Sequence, residues 1–92
     1  MYQIQFTNKM KKDVKRMKKR GKDISKLTSV LSVLASGADL PDSARDHQLS
    51  GNRAGFRECH IEPDWLPVYR IEEDTLILIA TENGTHSDLF VL

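Results

Sequence analysis

The sequence predicts an α+β domain in the order β-α-α-β-β-β. A helical hairpin packs on one face of a twisted, mainly antiparallel four-stranded sheet. Three observations carry this expectation. Tyr2-Gln3-Ile4-Gln5-Phe6 alternates apolar and polar residues, as a half-buried strand does. Two stretches with apolar residues at helical spacing follow it. Beyond a turn-rich segment come three strand-like runs separated by Glu62-Pro63-Asp64 and Glu72-Glu73-Asp74, connections short enough to impose antiparallel hairpins. A chain of 92 residues is expected to form one domain over 1–92. Its core is thin, since a domain of this size buries only about 60–65 % of its unfolded surface.

The elements follow in order. Thr7 or Asn8 caps a first helix whose apolar stripe is Met10, Val14 and Met17, and Gly21 ends it in a left-handed conformation. Asp23 caps a second helix with a wider stripe of Ile24, Leu27, Val30, Leu31 and Leu34, closed by Gly37. The methionines are assigned to the core. Ala38 to Ser50 reads as loop, with Asp39, Pro41, Asp42 and Ser43 as turn formers. Strands are expected at Gly55–Ile61, Trp65–Ile71 and Thr75–Ala80, the last an apolar run suited to a central position. Pro67 has no amide hydrogen, so the second of these should bulge or break its ladder there.

Charge is unevenly spread. Residues 9 to 22 hold nine cations against Asp13 alone, a local charge of +8, which leaves −7 for the rest of a chain whose net charge is +1. Like charges four residues apart on a helix repel. A face this dense in lysine suits a polyanion such as RNA. No apolar run approaches the roughly 20 residues that span a bilayer, so no membrane role is expected. The N-terminal residues lack the layout of a secretory signal. The single cysteine, Cys59, cannot close an internal disulfide, which fits a reducing, cytoplasmic setting.

The three histidines fall in loops or strand ends among carboxylates and an arginine: His47, then Arg57-Glu58-Cys59-His60, then His86. These are the groups that cleave RNA through its own 2′-hydroxyl. His60 or Glu58 serves as base, His47 or His86 as acid. Arg57 is a bidentate partner for phosphate, and Trp65 or Phe90 a platform for an unstacked base. Strand alternation places Glu58 and His60 on one face and Arg57 and Cys59 on the other. Trp65 beside Tyr69 reads as core, and Cys59 as a small buried hydrophobe. A zinc site from His47, His60, His86 and a carboxylate is a minor alternative, but these ligands lack a tight paired spacing and one cysteine gives no thiolate cluster, so neither metal nor other cofactor is expected.

Asp46-His47-x-Leu49-x-Gly51, the run Gly55-Phe56-Arg57-Glu58-Cys59-His60-Ile61-Glu62-Pro63-Asp64-Trp65, Tyr69, and Gly84-Thr85-His86-Ser87-Asp88-Leu89-Phe90 together resemble the YafQ branch of the RelE/ParE toxin superfamily. The resemblance covers nearly the whole chain. It implies a RelE-like fold and the toxin of a type II toxin–antitoxin system. Such a toxin is a ribosome-dependent, metal-independent endoribonuclease that cuts mRNA in the A site. It also implies neutralisation by a DinJ-like antitoxin, with operator DNA bound only through the complex. The family's functional positions match His47, Glu58, His60, Asp64, His86 and Phe90. Lys9, Lys11, Lys12, Lys15, Arg16, Lys18, Lys19, Arg53 and Arg57 are the candidate contacts to RNA and ribosome. Glu82-Asn83 stands where relatives commonly carry Arg-Thr, and Arg53-Ala54 where they often carry Trp-Lys. The alternative is a non-nucleolytic, ParE-like toxin or binding module acting on a protein such as DNA gyrase.

Overall fold

Residues 1–83 of the protein are described from a computed structural model, with residues 82 and 83 as backbone only. Strand β1 (Gln3–Phe6) leads into helix α1 (Asn8–Lys19) and helix α2 (Ile24–Ala35). A short 3-10 turn (Asp42–Ala44) precedes strand β2 (His47–Gln48), and a second (Gly51–Arg53) precedes strand β3 (Arg57–Glu58). Strands β4 (Trp65–Glu72) and β5 (Thr75–Asn83) complete the order. The class is the expected one, but the sheet has five strands in the order β1-β5-β4-β3-β2. The added strand is β2, which lies in the segment expected to be loop. β1 joins β5 in parallel, while the other three pairings are antiparallel.

Local chemistry sets the helices. The Thr7 hydroxyl caps α1 by accepting the Met10 N–H at 3.0 Å and donates to the Ile79 carbonyl at 2.5 Å. The Asp23 carboxylate caps α2 by accepting from the N–H and the hydroxyl of Ser25. These bonds to the charged form hold Asp23 below the usual carboxylate range. Gly21 and Gly37 follow the two helices with φ of 84° and 82°, the left-handed region that glycine enters without strain. The buried core gathers Met10 and Met17 from α1, Leu27, Leu31 and Leu34 from α2, Trp65, Tyr69, Leu76 and Leu78 from the sheet, and Cys59 just past β3.

Pro67 takes a position where its missing N–H does little harm. Its carbonyl accepts the Cys59 N–H at 3.2 Å, so its backbone faces β3, at the point where β3 ends. The irregularity falls one residue later. Val68 pairs with Ala80 and Tyr69 with Leu78, which leaves Ile79 as the extra residue of a bulge in β5. β1 stops at Phe6, so the next groups of β5 need other partners. Thr7 donates its N–H to the Leu78 carbonyl and its hydroxyl to the Ile79 carbonyl. Asp13 then accepts the Thr81 N–H at 3.0 Å.

Asp13 is 2 % exposed and is flanked on its own helix by Lys9 at 3.2 Å and Arg16 at 2.9 Å. Replacing it with alanine strands a buried N–H, a loss of about 1–3 kcal/mol. Thermal unfolding of Asp13→Ala should show a midpoint lowered by roughly 4–8 °C per kcal/mol. An unchanged midpoint would remove Asp13 from the docking of α1.

Candidate active site

β2 and β3 place His47 directly opposite Glu58. His60, two residues past Glu58, returns to the same face. One ligating atom from each of the three lies within 4.8 Å of the others, and the two imidazole centroids are 6.2 Å apart. Glu58 is 2 % exposed, whereas the His47 ring is 45 % exposed and His60 half-buried. A buried carboxylate therefore sits beneath two accessible imidazoles.

Backbone carbonyls orient this group. His47 Nδ1 donates to the Arg45 carbonyl at 2.6 Å. A carbonyl only accepts, so Nδ1 carries the hydrogen and Nε2 turns to Glu58 Oε1 at 3.5 Å. His60 N–H donates to the Ala44 carbonyl at 2.6 Å. That bond pulls the chain out of the ladder and explains why β3 covers two residues where Gly55–Ile61 was expected. The 3-10 turn and β2 are thus attached to the site from one side, and Pro67 marks its edge from the other.

The remaining expected residues are placed as follows. Arg57 is on the opposite face, where its Nε donates to Asp46 Oδ1 at 3.2 Å. Tyr69 donates its hydroxyl to the same oxygen at 2.5 Å. Burial, and then that bond, push the Tyr69 hydroxyl well above its ordinary value. Asp64 lies on the turn before β4 and accepts from Lys22 at 3.3 Å. Lys22 also binds Glu62 at 2.7 Å, and Lys26 binds the other Glu62 oxygen at 3.0 Å. These two cations hold the Glu62 carboxyl below its usual range. Arg53 belongs to the second 3-10 turn. His86 and Phe90 lie outside the described residues. Trp65 is fully buried and so is closed to base stacking. Lys9, Lys11, Lys12, Lys15, Arg16, Lys18 and Lys19 are all exposed on α1, and only Lys9 and Arg16 form ion pairs among the described residues.

His47, Glu58 and His60 can also close around a divalent ion, since each offers a donor atom at suitable separation. Sequence spacing offered His47, His60 and His86 with a carboxylate only as a minor alternative and did not single out this set, because its first member comes from a two-residue strand with no apolar signature. A further residue escaped notice for a similar reason: Arg45 lines a cavity of about 420 Å³ beside His60. Its only sequence signal is its position next to Asp46-His47.

Comparisons with known proteins identify the family. A family model described as the bacterial toxin of the type II toxin–antitoxin system, YafQ, matches residues 2–91. The chain belongs to the YafQ toxin family. It is 38 % identical over 88 residues to the mRNA interferase toxin YafQ of Escherichia coli K12, covering 95 % of this chain and 94 % of that one. The crystal structure of the E. coli DinJ–YafQ complex superposes with a TM-score of 0.84 at 35 % identity, over 98 % of this chain and 99 % of that one. A metal-bound toxin from Helicobacter pylori does so with a TM-score of 0.87 at 40 % identity, over 98 % and 100 %. Two helices on a mixed sheet are thus the fold of this YafQ-family member.

Cys59, between Glu58 and His60, is fully buried, and burial pushes its thiol up to about 12. It should resist iodoacetamide at pH 8 in the native protein and react fully in denaturant, as followed by mass spectrometry. Rapid native labelling would show that the strand carrying the site opens readily.

Proposed function

We propose that this YafQ-family chain, acting as one domain over 1–92, cleaves messenger RNA in the ribosomal A site without metal. The observation that supports this is the pair of accessible imidazoles over the buried Glu58. Cleavage needs a base to take the 2′-hydroxyl proton and an acid to protonate the departing 5′ oxygen. His47 and His60 offer two lone pairs on one face, with Glu58 offsetting the charge when a ring is protonated. Asp64, His86 and Phe90 complete the proposed site. An ion held by the same donors would occupy the lone pairs that the proton transfers require, so the reading has the reaction run without one. The E. coli relative named as an mRNA interferase supports the substrate class.

The basic face of α1 would hold ribosomal RNA through Lys11, Lys12, Lys15, Lys18 and Lys19, which no carboxylate of the described residues neutralises. A DinJ-like antitoxin would neutralise the toxin, as DinJ associates with YafQ in the E. coli complex, and operator DNA would be met only through that complex. The cytoplasm, where ribosomes work, is the proposed site of action. None of the helices in the described residues is long and apolar enough to cross a membrane.

His60→Gln and Glu58→Gln should each lower the rate of mRNA cleavage on programmed ribosomes by roughly 10²–10⁴-fold while circular dichroism stays native. Full cleavage in both variants would defeat the nucleolytic reading. Loss of DNA supercoiling activity in a gyrase assay would favour the ParE-like alternative instead. Replacing Lys11, Lys12, Lys15 and Lys18 with glutamine should weaken ribosome binding and flatten its salt dependence by about 0.7–0.9 for each phosphate no longer neutralised. An unchanged slope would free α1 of that role.

A further inference from the structure

The cavity of about 420 Å³ beside His60 is lined by Ser43, Arg45, Ile61, Glu62 and Pro63 as well. We propose that Arg45 grips a backbone phosphate of the messenger RNA next to the scissile bond, with the Ser43 hydroxyl beside it. This inference rests on the RNA-cleaving reading above.

Four observations support it. Arg45 has φ of 49°, a left-handed conformation that a side chain other than glycine enters only under strain. Its N–H closes the 3-10 turn on the Asp42 carbonyl at 3.0 Å, and its own carbonyl receives His47 Nδ1. The same backbone geometry thus sets the His47 ring and delivers the guanidinium to the cavity. Among the described residues, that guanidinium has no ion pair, whereas Arg16, Arg57 and Arg70 are each held by a carboxylate. Glu62, the one carboxylate among the described residues that line the cavity, is committed through both oxygens to Lys22 and Lys26. Lining the cavity next to His60 is thus a guanidinium on a fixed backbone that no carboxylate of the described residues neutralises, a setting that fits a phosphodiester.

The test uses the full-length toxin on ribosomes programmed with a defined mRNA. Arg45→Gly keeps the left-handed backbone and removes the charge, and Arg45→Gln removes the charge alone. Both should raise KM by roughly ten- to hundredfold, the worth of a charge-assisted hydrogen bond, with kcat changed less. Arg45→Lys should retain the wild-type salt slope of KM. An mRNA carrying a neutral methylphosphonate beside the cut should penalise the wild type and leave Arg45→Gln without further loss. Wild-type KM in Arg45→Gln and Arg45→Gly, or a defect that the methylphosphonate does not absorb, would overturn the assignment. A salt slope lost in Arg45→Lys would do so as well. His60→Gln serves as the control for the underlying reading: if it cleaves normally, that reading fails and not the Arg45 contact alone.

Discussion

The architecture turns on one buried carboxylate. β5 lies between β1 and β4, but β1 ends at Phe6 and leaves the upper half of β5 with unpaired backbone groups on that side. A buried N–H without a partner is costly, and α1 supplies the partner through Asp13. The same carboxylate lies between Lys9 and Arg16 along its helix. A segment that would otherwise repel itself is thereby anchored at its one anionic residue, with its remaining cations turned to solvent. The chemistry of docking and the display of charge are the same arrangement seen from its two sides.

The candidate site is a product of where the sheet fails. β3 is short because His60 leaves the ladder for the Ala44 carbonyl. β2 exists because the chain after the 3-10 turn finds an open edge beside Arg57 and Glu58. Pro67 and the bulge at Ile79 bend the two central strands just where the short ones end. Charged groups gather at this margin, since backbone there is already bent and partly open to water. On the far face the same strands carry Arg57, Tyr69 and Asp46, whose bonds to one another hold β2 against the core. Face alternation along two residues of β3 thus separates a structural trio from a chemical one.

Much of this was legible in the residues, and the exceptions share a cause. Both helices were marked by apolar periodicity together with Thr7, Asp23, Gly21 and Gly37, which are local signals. The central strands were marked by length and β-branched content. The pairing of Glu58 with His60 followed from alternation, and the core positions of Trp65 and Cys59 from their neighbours. β2 was invisible because Asp46-His47-Gln48 carries no pattern, and its conformation is supplied wholly by β3. The parallel pairing of β1 with β5 joins residues 72 apart in the chain, such as Gln3 and Thr75, which no window of sequence reveals. Arg45 escaped for the same reason: its φ and its cavity are tertiary properties.

That long-range pairing governs the order of assembly. The β4–β5 hairpin is local and closes a short loop, whereas β1 must wait for a partner dozens of residues downstream. While a chain emerges from the ribosome, its first strand lacks its partner in the sheet until residues 75–83 are made. The sheet of a nascent copy, and with it the complete fold, therefore closes only late in its own synthesis.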